Sequence, residues 1–232
     1  MASKIGGYFK ETRQPIYSAA LILPFLLIYH GGTLVLHTTY INGADALIIR
    51  ILSFFSVHSM LASGLVLGMS FVIWQLRTHS TWKINFGMLM VYFLESVCFA
   101  LFLMFAFSWL STHFSLAIGE RKGSVANLVL YCGAGVYEEL VFRGFLLGLL
   151  IVACKRIFRN RIFAIVSAAV LGALAFSVFH YVGPAGDSFS LASFLQRTIA
   201  GLYFSVLIVT RGFGVTAASH ALYDIFIGML AA

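Results

Sequence analysis

From Pro15 to the C-terminus the chain is a series of apolar runs of about twenty residues, separated by short polar segments. Such a run is the length needed to cross the hydrocarbon core of a bilayer as a helix. Only helices or closed barrels satisfy their backbone hydrogen bonds there, and these runs are continuous rather than alternating. The feature fixes the fold class as all-α, a polytopic transmembrane bundle of about seven or eight helices. Composition excludes a soluble alternative: 61% of residues are hydrophobic and 10% charged, against roughly 25% charged in an ordinary globular domain. One soluble core has no room for that much apolar surface.

The runs predict spans at about Pro15–Leu36, Ser59–Leu76, Phe86–Leu110, Ser124–Ala153, Arg161–Tyr181, Phe189–Thr210 and Phe213–Ala232. Met1–Gln14 is polar and basic, and no small-residue cleavage signal follows it, so the first span reads as uncleaved. Thr38–Asp45 reads as a polar loop, with Asp45 capping a short interfacial helix from Ala46 onward that carries Arg50. Ser111–Gly123 reads as interfacial, and Gly183–Ser188 as a tight loop. There is no repeat and no linker. Residues 1–123 supply N-terminal spans and interfacial segments, and residues 124–232 the core helices, in one integrated membrane domain.

The formal charge of +7 comes from basic residues between the runs, which is the pattern of loops facing cytoplasm and anionic headgroups rather than nucleic acid. With a cytoplasmic N-terminus, that side holds Lys4, Lys10, Arg13, Arg77, Lys83, Lys155, Arg156, Arg159, Arg161 and Arg211, and the loop Arg121–Lys122 lies opposite. Cys98, Cys132 and Cys154 lie in apolar runs without a disulfide or CxxC pattern and read as small buried hydrophobes.

Ionisable residues inside apolar runs are costly, roughly 2.5–3.5 kcal/mol each on the insertion scale, and mark sites by default. Here they are Glu138, Glu139 and Arg143 in one run, His180 in the next, and His220 and Asp224 in the last. Glu139 and Arg143 stand i,i+4, as do His220 and Asp224, so each pair shares a helix face. A carboxylate and two histidines in a low-dielectric cavity can activate water and stabilise an oxyanion, the parts for amide hydrolysis without a covalent intermediate. The same atoms suit a zinc ion held by two histidines and a carboxylate, although there is no HExxH motif. Glu95 is also intramembrane and belongs to no motif: it either pairs with Arg143 or faces the cavity. Arg197 snorkels or lines the cavity. His30, His37, His58, His79 and His113 read as interfacial. The spans also raise a conflict of depth. His180 lies ~27 Å along its helix from Arg161 and His220 only ~10 Å past Phe213, at 1.5 Å per residue. A turn at Arg211–Val215 that dips inward, permitted by Gly212 and Gly214, resolves it.

Glu138-Glu139-Leu140-Val141-Phe142-Arg143, Phe176-Ser177-Val178-Phe179-His180 and His220-Ala221-Leu222-Tyr223-Asp224 resemble, in order and separation, the EExxxR, FxxxH and HxxxN/D motifs of the CAAX-protease and bacteriocin-processing (CPBP, or Abi) family. The resemblance runs from about Asn127 to the C-terminus. It implies an intramembrane glutamic endopeptidase in a bacterial cytoplasmic membrane, with no cofactor expected and zinc as the alternative. It implies Glu138 as general base, His180 as its partner on the water, and His220 as oxyanion donor, with Arg143 holding Glu139. Asp224 stands where the eukaryotic member has Asn, and an ionised carboxylate cannot donate, so Asp224 is expected to orient His220. The implied partners are the lipid bilayer and a peptide or protein substrate near the membrane, lipidated or with a hydrophobic segment. A non-catalytic immunity or sorting protein remains the other class of reading. A proton-coupled transporter would need two interrupted, repeated halves, which this sequence lacks.

Overall fold

A computed structural model describes residues 2–37, 41–57, 59, 61–114, 124–183 and 186–230. Among the described residues all regular structure is helical: α1 Ala2–Thr12, α2 Pro15–Val35, α3 Gly43–Ser53, α4 Ala62–Arg77, α5 Phe86–Phe114, α6 Val125–Glu139, a π-helical segment Leu140–Leu146, α7 Leu147–Ile157, α8 Arg161–Phe179, α9 Leu191–Arg211 and α10 Phe213–Leu230. Five of these, α2, α5, α8, α9 and α10, are long and apolar enough to cross a membrane. The other two expected spans correspond to the shorter apolar helix α4 and to the run from Val125 through Ile157, which passes through the π segment. The protein is an integral membrane protein of the expected all-α class.

The polar, basic stretch before the first span contains the helix α1. Several local expectations are corrected. α5 continues past Leu110 to Phe114. Asn42, not Asp45, caps α3: its side chain accepts from the N–H groups of Ala44 and Asp45. Asp45 instead sits fully buried in the first turn and accepts a 2.7 Å hydrogen bond from Tyr29. Cys132 and Cys154 are buried, whereas Cys98 is exposed on α5. His58, the stretch 115–123 with Arg121 and Lys122, and the side chain of His113 lie outside the described residues.

α10 is the axis of the molecule. It packs against α2, α5, α6 and α9, and 78% of its span is buried inside the protein. The sequence permits this because Gly214, Ala217, Ala218, Ser219 and Ala221 give it little girth, the same device that lets membrane helices approach closely. At its tightest contact, a Cβ added to Gly135 of α6 would lie 2.3 Å from the backbone nitrogen of Ala221. α6 and α10 are thereby held backbone to backbone just beside Glu138 and His220.

The α9–α10 turn is a single residue, Gly212, at φ 88° and ψ 179°, a conformation essentially restricted to glycine. Gly212 is half-buried between buried neighbours, with Arg211 and Val215 5% and 0% exposed, and α1 lies over it. Arg211 forms a bidentate pair with Glu95, which also accepts from Tyr8. Arg13 donates to the carbonyls of Val209 and Thr210 at the end of α9. Glu95 therefore neither pairs with Arg143 nor joins the cavity. Through Arg211 it anchors the α9–α10 turn from which α10 runs to His220.

Candidate active site

Three helices bring the six expected residues together. α6 ends on the glutamate pair, and Glu138 and Glu139 are both buried. The helix widens into its π segment at the next residue, and Arg143 falls within it; π turns recur at functional sites. His180 is the C-cap of α8. His220 and Asp224 lie mid-way along α10, both buried.

Glu139 is an organising group. Its Oε1 accepts from Arg143 Nη1 at 2.9 Å and meets His220 Nδ1 at 2.7 Å. Arg143 also donates to the carbonyl of Gly201 on α9 at 3.3 Å. Its guanidinium lies 4.3 Å from the ring centre of Phe176 and 5.6 Å from that of Phe204. Phe204 in turn stacks on His220 at 4.5 Å. The i,i+4 pair read from the sequence is therefore part of a buried bridge that fixes the His220 ring.

Glu138 faces the other way. Its Oε1 accepts 2.9 Å from Asn42 Nδ2. Its Oε2 lies 3.8 Å from His180 Nε2 and 3.9 Å from His220 Nε2. These separations exceed a direct hydrogen bond and suit groups that act on one shared small molecule. The ring orientations follow from chemistry. His180 Nδ1 is 2.9 Å from the Phe176 carbonyl, an acceptor only, so Nδ1 carries the proton and a neutral ring leaves the Nε2 lone pair toward Glu138. His220 Nδ1 likewise donates to Glu139. Asp224 Oδ2 is 3.6 Å from His220 Nε2, not from the Nδ1 side that Glu139 holds.

These groups line one cavity of about 590 Å³. Glu138, His180, His220 and Asp224 form its floor with Phe204, and Asp187, Ser188 and Ser190 lie at its exposed end. Arg197 lines the wall, as expected, and pairs with Asp187. Among the described residues no cluster of three or more His, Cys, Asp or Glu is arranged to hold a metal ion.

Two features carry no clear signal in the sequence. Asn42 comes from the α2–α3 connection, and no motif marks it. His30, expected as an interfacial residue, is half-buried in α2 and has a protein partner, with Nε2 2.7 Å from the Tyr137 hydroxyl beside Glu138. His37 and His79 do lie at exposed helix ends.

Residues 122–226 match the family model described as Type II CAAX prenyl endopeptidase Rce1-like. The match spans all three motifs and bears out the resemblance read from them. No curated protein matches the chain, and no solved structure does.

Proposed function

We propose that this membrane protein is an intramembrane endopeptidase that hydrolyses a peptide bond of a membrane-associated peptide or protein with a water activated by Glu138 and His180. The observation that carries the reading is the convergence of both imidazole Nε2 atoms on Glu138 Oε2, at 3.8 and 3.9 Å, inside a cavity among apolar helices. The family match adds that the related proteins are endopeptidases.

In this reading a water held between Glu138 and His180 attacks the scissile carbonyl carbon. Its proton passes to the Glu138 carboxylate, and His180 Nε2 accepts the water's second hydrogen bond. The carbonyl oxygen becomes an oxyanion, to which His220 Nε2 donates. For that donation the ring must carry both protons, with Glu139 and Asp224 as its counter-charges. The C–N bond then breaks as Glu138 returns the proton to the leaving nitrogen. Glu139 orients His220, Arg143 holds Glu139, and Asp224 acts only as a nearby counter-charge, so none of the three takes part in proton transfer. A lipidated or hydrophobic segment suits a cavity set among membrane helices, and a bacterial cytoplasmic membrane suits the family resemblance.

The convergence of two imidazoles on one carboxylate is also what a zinc reading would use, so metal dependence is the first test. Purified protein cleaving tagged, membrane-anchored peptides is expected to keep its rate in excess chelator. A loss of rate restored by zinc would move the chemistry to a metalloprotease.

The access side follows from charge. Arg13, Arg77, Lys155, Arg156, Arg159 and Arg161 stand at the ends of α2, α4, α7 and α8 on the side of the α9–α10 turn, and the cavity reaches the surface at the opposite end of α8 and α9, by Ser188 and Ser190. The basic end is cytoplasmic by the positive-inside rule, so the cavity faces away from the cytoplasm. In a chain with Cys98, Cys132 and Cys154 replaced by Ser, an impermeant thiol reagent applied to intact cells is expected to label Ser188→Cys and to spare Arg159→Cys. The reverse pattern would invert the orientation.

A further inference from the structure

We propose that Asn42 is a positioning residue: it holds one oxygen of the Glu138 carboxylate so that the other faces His180 and His220. The inference rests on the endopeptidase reading for its effect on rate, and on geometry alone for its effect on Glu138. Asn42 lies in the part of the chain that precedes the family match at 122–226, so the N-terminal half completes the site rather than merely enclosing it.

The amide is fixed before it meets Glu138. Its Oδ1 accepts from Ala44 N at 2.8 Å and Asp45 N at 3.4 Å. That settles which end is nitrogen, because a flipped amide would set donors against donors at α3 and an oxygen against the carboxylate. The backbone N–H of Asn42 donates to the Tyr29 hydroxyl at 3.2 Å. Tyr29 is 0% exposed, donates to the equally buried Asp45, and packs against Tyr137, the residue before Glu138. The start of α3 is thus tied both to α2 and to the helix bearing the glutamates. The Asn42 Nδ2 then reaches Glu138 Oε1 at 2.9 Å.

The consequence is directional. A glutamate side chain has free rotation about its terminal bond, and a donor on one oxygen removes it. With Oε1 bound, Oε2 is the oxygen presented to both imidazoles, as the 3.8 and 3.9 Å separations show. The groups facing this carboxylate are His180 at the end of α8 and His220 from α10, with Asn42 the neutral donor from the α3 side.

Two substitutions separate positioning from capping. Asn42→Asp keeps an N-cap acceptor for α3 but sets a carboxylate against Glu138. Asn42→Ala removes both roles. Each is expected to lower kcat by about 10- to 100-fold with little change in KM, the scale of one hydrogen bond to a charged group. A purely capping role predicts full activity for Asn42→Asp, and that result would overturn the proposal. A second measurement needs no substrate. Asn42→Asp is expected to lower the thermal midpoint of the purified protein, and adding Glu138→Gln in the same chain is expected to recover it, because the glutamine amide can donate to the new carboxylate. Additive midpoints would overturn the proposal. If the wild type cut no peptide but this recovery appeared, the endopeptidase reading would fail and the Asn42–Glu138 coupling would stand.

Discussion

Glu138→Gln is expected to slow peptide cleavage by about 10²–10⁴-fold, the range over which a positioned general base acts, while the protein stays folded. The change is nearly isosteric. The new side-chain carbonyl can still accept from Asn42 Nδ2, which now bonds Glu138 Oε1 at 2.9 Å, so the link to α3 survives. What disappears is the capacity to take a proton from water and return it to the leaving nitrogen. Glu139→Gln is the instructive contrast. Glu139 is 0% exposed and bonded to both Arg143 and His220, so its substitution should reduce stability together with rate. Initial rates in proteoliposomes, read beside thermal midpoints, separate the two. A Glu138→Gln protein cutting within threefold of wild type would remove Glu138 from the chemistry.

Arg143→Ala is expected to cost about 3–5 kcal/mol of stability, the scale for removing one partner of a buried ion pair. Three losses coincide. Glu139 loses the cation at 2.9 Å, and its Oε2 already has no hydrogen-bond partner. The Gly201 carbonyl keeps Ser205 but loses the Arg143 donor that ties α9 to the π segment. The space between the rings of Phe176 and Phe204 loses the guanidinium that fills it. Arg143→Lys restores charge but not the planar fork or the stacking, so it should recover only part of the loss. Unfolding in mild detergent, followed by exposure of the buried Cys132 and Cys154, measures the effect. A midpoint equal to wild type for Arg143→Ala would contradict the bridging role.

The candidate site was readable because its chemistry violates its surroundings. Glu138, Glu139, Arg143, His180, His220 and Asp224 are ionisable groups in apolar runs, and helical spacing alone pairs Glu139 with Arg143. What the sequence concealed lies in contacts between distant segments. Asn42 stands 96 residues from Glu138, and an asparagine before a glycine reads as an ordinary loop residue. Asp45 looked like the better cap, yet its burial against Tyr29 leaves the cap to Asn42. Glu95 finds Arg211, 116 residues away, because α10 packs against α5 and sets the α9–α10 turn beside it. His30 resembled a span-end histidine, and only the packing of α2 on α6 brings it to Tyr137. The widening of the helix at Leu140 has no signature in composition. Motif and periodicity thus reveal which groups are out of place, while their partners depend on how the helices are packed.

The most direct test of the central claim is product analysis by mass spectrometry. Purified wild type and Glu138→Gln would each be reconstituted with the same panel of membrane-anchored peptides. Wild type is expected to cleave at an internal peptide bond, giving a new carboxyl terminus and a new amine, and Glu138→Gln to give almost none. No cleavage of any peptide by wild type, together with undiminished function of Glu138→Gln in its native cell, would contradict it and leave a binding or immunity role in its place.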